Sequence, residues 1–83
     1  MFELFFTKIA QKQYQKLPKT TQPRINRALA SLSISPLSGK KLTGEFSGQR
    51  SLKAWPYRII YSLNEKESRI EITSIIHRQG AYK

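Results

Sequence analysis

Ile25, Ala28, Leu29 and Leu32 recur at i, i+3, i+4 and i+7 between Pro23 and Pro36, the spacing that lines one side of an α-helix with apolar groups. Thr20 or Thr21 can cap this helix, and Pro23 is tolerated in its first turn, where its missing N–H would have no intrahelical partner. Ser35-Pro36-Leu37-Ser38-Gly39 ends it. A helix with one apolar stripe must lay that stripe on another element, so the rest of the chain has to supply an apolar surface.

A second, shorter helix precedes it. Thr7 can act as its N-cap, Ala10, Tyr14 and Leu17 recur at helical spacing on one side while Lys8, Lys12 and Lys16 fall off that stripe, and Pro18 stops it after about Lys16. Phe2 to Phe6, with Glu3 as its one charge, suits a short buried strand. Beyond Gly39, Lys40 to Gly48 reads as a loop anchored by Leu42 and Phe46. Strands follow at about Gln49 to Ala54, Tyr57 to Leu63 and Arg69 to Ile76, with turns at Pro56 and at Asn64-Glu65-Lys66-Glu67. Period two places Tyr57, Ile59, Tyr61 and Leu63 on one face of the middle strand and Arg58, Ile60 and Ser62 on the other. In the last strand Ile70, Ile72 and Ser74 alternate with Arg69, Glu71 and Thr73. The expected order is β-α-α-β-β-β. With no repeat, linker or low-complexity tract, residues 1–83 read as a single α+β domain whose sheet is an antiparallel meander.

Eighty-three residues bury only roughly 60–65% of their unfolded surface, so the core is thin. Hydrophobic residues at 39%, including four Phe, four Tyr and Trp55, are still enough to fold. The absence of Cys excludes a disulfide framework, a thiolate metal site and a Cys nucleophile, and one His with five carboxylates leaves little for a metal cage. No cofactor or metal is expected. No apolar run approaches the ~20 residues of a membrane span, and the N-terminus lacks the form of a secretory signal, so the expected location is the cytoplasm and no membrane partner is expected.

Fifteen Lys and Arg against five Asp and Glu give a net charge of +10 and an isoelectric point near 10.3, which favours polyanionic partners through steering and counterion release. The positive residues fall into a helical set, Lys8, Lys12, Lys16, Lys19, Arg24 and Arg27, and a sheet set, Arg50, Lys53, Arg58 and Arg78; Lys40 and Lys41 form a basic rim. The helical set is either a solvated face or a contact for ribosomal RNA phosphates. Arg50, Lys53 and Arg58, close in sequence on adjacent strands, suit a phosphate-binding cleft, since clustered like charges cost energy unless an anion joins them. Arg58 is awkward in mid-strand unless it grips a phosphate with paired donors or meets Glu71 or Glu67 in a salt bridge. His77 is the one side chain with an unperturbed pKa near neutrality and is a candidate general base or acid, although a lone His is more often structural. Tyr82 either packs as a tail on the sheet or stacks on a nucleobase or gives a proton. Trp55, before Pro56, either anchors a turn or stacks on a base.

Ser47-Gly48-Gln49-Arg50-Ser51-Leu52-Lys53, then Tyr57-Arg58-Ile59-Ile60-Tyr61, then Ile76-His77-Arg78 and a terminal Tyr82 together resemble the RelE/ParE superfamily of bacterial toxin–antitoxin toxins. The resemblance spans nearly the whole chain, including the Leu17-Pro18-Lys19 break between helices. It implies a helical hairpin on a small curved antiparallel sheet. On the RelE-like branch it implies a toxin that binds the ribosomal A site and cuts messenger RNA without metal, the ribose 2′-hydroxyl attacking the neighbouring phosphate to leave a cyclic phosphate. By that resemblance Arg58 steadies the reacting phosphate, Lys53 and Arg50 match the basic residues of the preceding strand, and Arg78 and Tyr82 match the C-terminal pair. The base stays open among His77, Lys53, whose cationic neighbours would favour its neutral form, and Tyr82. Glu45 does not align with the Glu base of some relatives. The implied partners are a RelB-like acidic antitoxin that wraps the toxin, the ribosome with its mRNA, and operator DNA reached through the antitoxin. The alternative is a ParE-like inhibitor of DNA gyrase with the same fold and no nuclease.

Overall fold

The computed structural model describes residues 1–78. It orders them as β1 (Glu3–Phe6), α1 (Lys8–Gln15), α2 (Gln22–Ile34), β2 (Lys40–Lys41), a 3-10 turn (Gly44–Phe46), β3 (Gln49–Ala54), β4 (Tyr57–Asn64) and β5 (Arg69–His77). The α+β class and the helical hairpin stand as expected. The strands form one five-stranded sheet in the order β1-β5-β4-β3-β2.

Two expectations about which strands make up that sheet, and how they run, are corrected. It is mixed, because β1 runs parallel to β5 with Leu4 opposite Ile70 and Phe6 opposite Ile72; only strands joined by tight turns are forced to alternate, and here two helices and three strands intervene. Lys40 and Lys41 are a strand rather than loop, pairing antiparallel with Ser51 and Arg50. A two-lysine strand carries no apolar alternation for a reader to find, and lysine is a usual occupant of an exposed sheet edge.

The local signals act as chemistry dictates. The Thr7 hydroxyl accepts from the Ala10 N–H at 3.2 Å, capping α1. Thr21 caps α2 without a side-chain bond, and Pro23 sits in the first turn. Ala10, Leu17, Ile25, Leu29 and Leu32 meet Ala54, Ile59, Tyr61, Ile70, Ile72 and Ile75 in one core between the helices and one face of the sheet. No helix among the described residues is long and apolar enough to cross a membrane.

A bulge decides which side chains of β5 reach that core. Ile60 pairs with Ser74 but Tyr61 pairs with Ile72, so Thr73 is the extra residue. Past it the alternation changes phase. Ser74 lands on the face away from the helices, a correction to its expected company with Ile70 and Ile72, and Ile75 becomes core. The polar groups freed there are answered: the Ile75 N–H donates to Gln13 Oε1 at 2.6 Å, and the Thr73 hydroxyl donates to Gln49 Oε1 at 2.7 Å.

Candidate functional site

Directly opposed residues of an antiparallel pair point to the same face of a sheet. Lys53 faces Arg58 across β3 and β4, and Arg58 faces Ile76 across β4 and β5. Their face is the one away from the helices, because Ile59 and Ile75, their chain neighbours, belong to the core. Lys40 opposes Ser51, which has the same parity as Lys53, so Lys40 joins them from β2. Three cations therefore stand on three adjacent strands of one face. Lys40, Lys41 and Arg58, with Leu42, Thr43 and Phe46, line a cavity of about 310 Å³, which brings the basic rim and the mid-strand arginine to one site. Glu71 opposes Ser62, far along β4 from Arg58.

Arg50 is not part of this set. It opposes Tyr61 and so faces the helix side, where its Nη1 donates to Gly39 O at 2.8 Å and to Leu37 O at 3.4 Å. Tyr61 works on the same segment. Its hydroxyl donates to Pro36 O at 2.8 Å and accepts from the Gly39 N–H at 3.0 Å. Burial pushes the Tyr61 phenol above its ordinary value of 10.0, outweighing the Gly39 amide and the Arg50 charge, both of which favour the phenolate. Arg50 and Tyr61 together pin residues 36–39, the stretch that delivers Lys40 and Lys41 to the sheet. Gly39 is required at that point: a Cβ there would lie 2.8 Å from Tyr61 Cε1.

His77 is also turned away from Arg58. It opposes Tyr57, and the two rings meet edge to face with centroids 5.1 Å apart. Arg78 follows at the end of β5, its guanidinium 4.6 Å from the centre of the Trp55 ring and its N–H donating to Pro56 O at 2.8 Å. Arg24 of α2 donates through Nη1 to Trp55 O at 2.8 Å, so one member of the helical set is tied to the β3–β4 turn. Lys8, Lys12, Lys16, Lys19 and Arg27 are exposed. Tyr82 lies outside the described residues.

Two features escaped sequence reasoning. The Trp55–Arg78–Arg24 cluster joins positions remote in the chain and leaves no local pattern. Tyr61 reads as one more apolar residue in an alternating strand, and only its hydroxyl bonds reveal an anchor. Among the described residues, no group of three or more His, Cys, Asp or Glu side chains could hold a metal ion.

The family described as the ParE toxin of the type II toxin–antitoxin system parDE matches residues 4–82. Toxin RelG of Mycobacterium tuberculosis is 30% identical over 84 residues, covering 94% of this chain and 92% of that protein. Toxin RelE of the same organism is 26% identical over 88 residues, covering 99% and 87%. Among solved structures, the toxin–antitoxin complex RelBE2 from M. tuberculosis matches with a TM-score of 0.85 and 29% identity, over 93% of this chain and 98% of that one.

Proposed function

The chain belongs to the RelE/ParE superfamily of type II toxin–antitoxin toxins, and on that premise we propose that it is a ribosome-dependent endoribonuclease acting as one domain over residues 1–83. The observation that carries the reading is the grouping of Lys40, Lys53 and Arg58 on one face of three adjacent strands. Cations converging there favour a bound polyanion, and preorganised positive charge stabilises the negative charge that develops in phosphoryl chemistry. The similarity to toxins named RelG and RelE supports the nuclease branch.

The reaction follows from the ribose itself. The 2′-oxygen attacks the adjacent phosphorus and releases its proton to a base. The new P–O2′ bond forms as the P–O5′ bond breaks, the 5′-oxygen takes up a proton, and a 2′,3′-cyclic phosphate remains. Negative charge grows on the non-bridging oxygens in the transition state, where Arg58 offers paired donors and Lys53 a point charge. Of the groups considered as proton acceptor, Lys53 is the one beside Arg58 among the described residues, since His77 occupies the other face. Lys40 and Lys41 guide the RNA backbone along the rim. Arg78 adds positive charge from the end of β5, the family resemblance gives Tyr82 a part in the reaction, and the exposed lysines of α1 with Arg27 meet ribosomal RNA.

The partner that holds such a toxin in check is an acidic, RelB-like antitoxin folding across the +10 chain. The RelBE2 structure is a toxin–antitoxin complex, which supports this. Operator DNA is reached through the antitoxin.

The test is primer extension on a defined mRNA in a reconstituted translation system, beside a gyrase supercoiling assay. Cuts in the A-site codon with normal gyrase, unchanged by chelator, are expected. Intact mRNA with blocked gyrase would overturn the nuclease reading in favour of the ParE-like one, which the family match over residues 4–82 keeps as the second reading.

A further inference from the structure

Trp55 is the single tryptophan of the chain and is 54% exposed, an unusual position for the largest apolar side chain in a thin-cored domain. It is held in place all the same. Arg24 fixes its carbonyl, the Arg78 amide fixes the next residue's carbonyl, and the Arg78 guanidinium lies over the ring. An aromatic kept both open and rigid offers its π-surface at little entropic cost to a ligand.

Its place on the sheet says which ligand. Ala54, Tyr57 and His77 form the row next to Lys53, Arg58 and Ile76, and the Trp55 turn lies immediately beyond, roughly 7 Å from the cationic row at the usual rise per residue. Arg78 lies over the ring, Arg24 is bound to the Trp55 carbonyl and Lys53 stands two residues back on β3; this positive neighbourhood disfavours a cationic ligand and favours a polyanion that carries flat π-systems of its own. Single-stranded nucleic acid has that chemistry: phosphates for the arginines and bases for the indole.

We propose that Trp55, braced by Arg78, is a stacking platform for the nucleobase next to the phosphate held at Lys53 and Arg58. This rests on the ribonuclease reading and adds to it a substrate contact at the β3–β4 turn. Stacking positions the nucleotide whose 2′-hydroxyl or phosphate reacts and has no part in the proton transfers. Every base has a π-face, so the contact tightens binding with little sequence preference.

The single tryptophan makes the test direct. The full chain is titrated with a short single-stranded RNA bearing 2′-O-methyl riboses, which cannot be cut because the attacking hydroxyl is blocked, and with the same backbone lacking its bases. Base-dependent quenching of Trp55 fluorescence is expected, with little change from the abasic oligomer. By anisotropy of a labelled oligomer, Trp55→Ala should weaken binding of the base-bearing RNA by about 5- to 150-fold and leave abasic binding unchanged, while Trp55→Phe retains most of the affinity. The exposed position and the backbone nature of the Arg24 bond keep both variants folded, and thermal melts check this. Equal quenching by both oligomers, or none at any concentration, would overturn the platform and make Trp55 a turn anchor only. Primer extension with the parent protein decides the nuclease reading separately: absence of cutting there with base-dependent quenching would remove the reaction and keep the platform, whereas cutting by Trp55→Ala at the parent's rate, with no quenching, would remove the platform and keep the reaction.

Discussion

Replacing Tyr61 with Phe should loosen the basic rim without emptying the core. The ring stays, so no large cavity forms; what disappears is the hydroxyl that donates to Pro36 O at 2.8 Å and accepts from the Gly39 N–H at 3.0 Å. Gly39 is buried, so its amide loses its partner where water does not replace it, at a cost of about 1–3 kcal/mol, and the carbonyl adds up to about 1 kcal/mol. A total of about 1–4 kcal/mol is a substantial share of the roughly 4–12 kcal/mol expected of a domain this size, and it corresponds to a fall in Tm on the order of 5–30 °C. The phenol's pKa in the folded state is raised above 10.0 by burial. Its stabilising contribution is therefore complete below pH 10 and is lost as pH rises through the higher folded value. The stability gap between parent and variant should be constant from neutral pH to pH 10 and narrow above it. Urea melts across that range, with hydrogen exchange at the Gly39 amide, measure both effects. If Tyr61→Phe melted within about 0.5 kcal/mol of the parent, or if the two alkaline curves ran parallel, the hydroxyl would not be the anchor inferred here. Because residues 36–39 feed Lys40 and Lys41 into the sheet, the variant should also bind RNA more weakly while Arg58 remains in place.

Arg58→Ala should abolish growth inhibition and mRNA cutting with the fold intact; a variant as toxic as its parent, with a matching circular dichroism spectrum, would remove Arg58 from the mechanism. Gly39→Ala should destabilise by about 1–3 kcal/mol, since its Cβ would come 2.8 Å from Tyr61 Cε1 and that ring is walled in; combined with Tyr61→Ala the penalty should shrink, and an additive double mutant would contradict the clash. His77→Gln should keep full cleavage from pH 6 to 8, because the imidazole packs on Tyr57 on the face opposite Arg58. A pH-rate limb that vanished in this variant would return His77 to the reaction.

The elements that sequence made legible are those with long or repeated signals. The stripe from Ile25 to Leu32, the Thr7 cap and the bounds of β3 appear in the structure nearly as spaced in the chain. Features requiring contact between remote segments were not legible. Nothing in Glu3-Leu4-Phe5-Phe6 says it will lie parallel to β5, and nothing in Thr73 marks it as the residue that shifts the phase of its strand. The candidate site divides along the same line. Arg58 on the face opposite the tyrosines follows from alternation alone, whereas the arrival of Lys40 and Lys41 at the Arg58 cavity depends on a loop closed by a buried phenol.

Parity resolves most of what remained. Arg50 and Lys53 are an odd number of residues apart on one strand, so a regular β3 must send them to opposite faces, however close they stand in the chain. Lys53 and Arg58 lie one pair in from the two-residue turn at Trp55 and Pro56 and become direct partners, so they must share one. A count of parity therefore separates the arginine that braces the fold from the cations that gather on the far face. His77 is harder, because its face depends on register across β4 and β5 and on a bulge that alternation cannot foresee. Even there the result follows from pairing: opposite Tyr57, the imidazole can meet Arg58 only if β5 slips by one residue. That slip would turn Ile75 out of the core and Ile76 into it. The burial of Ile75 thus holds His77 on its side of the sheet, and the same packing that stabilises β5 directs the search for the base to the side of Lys53.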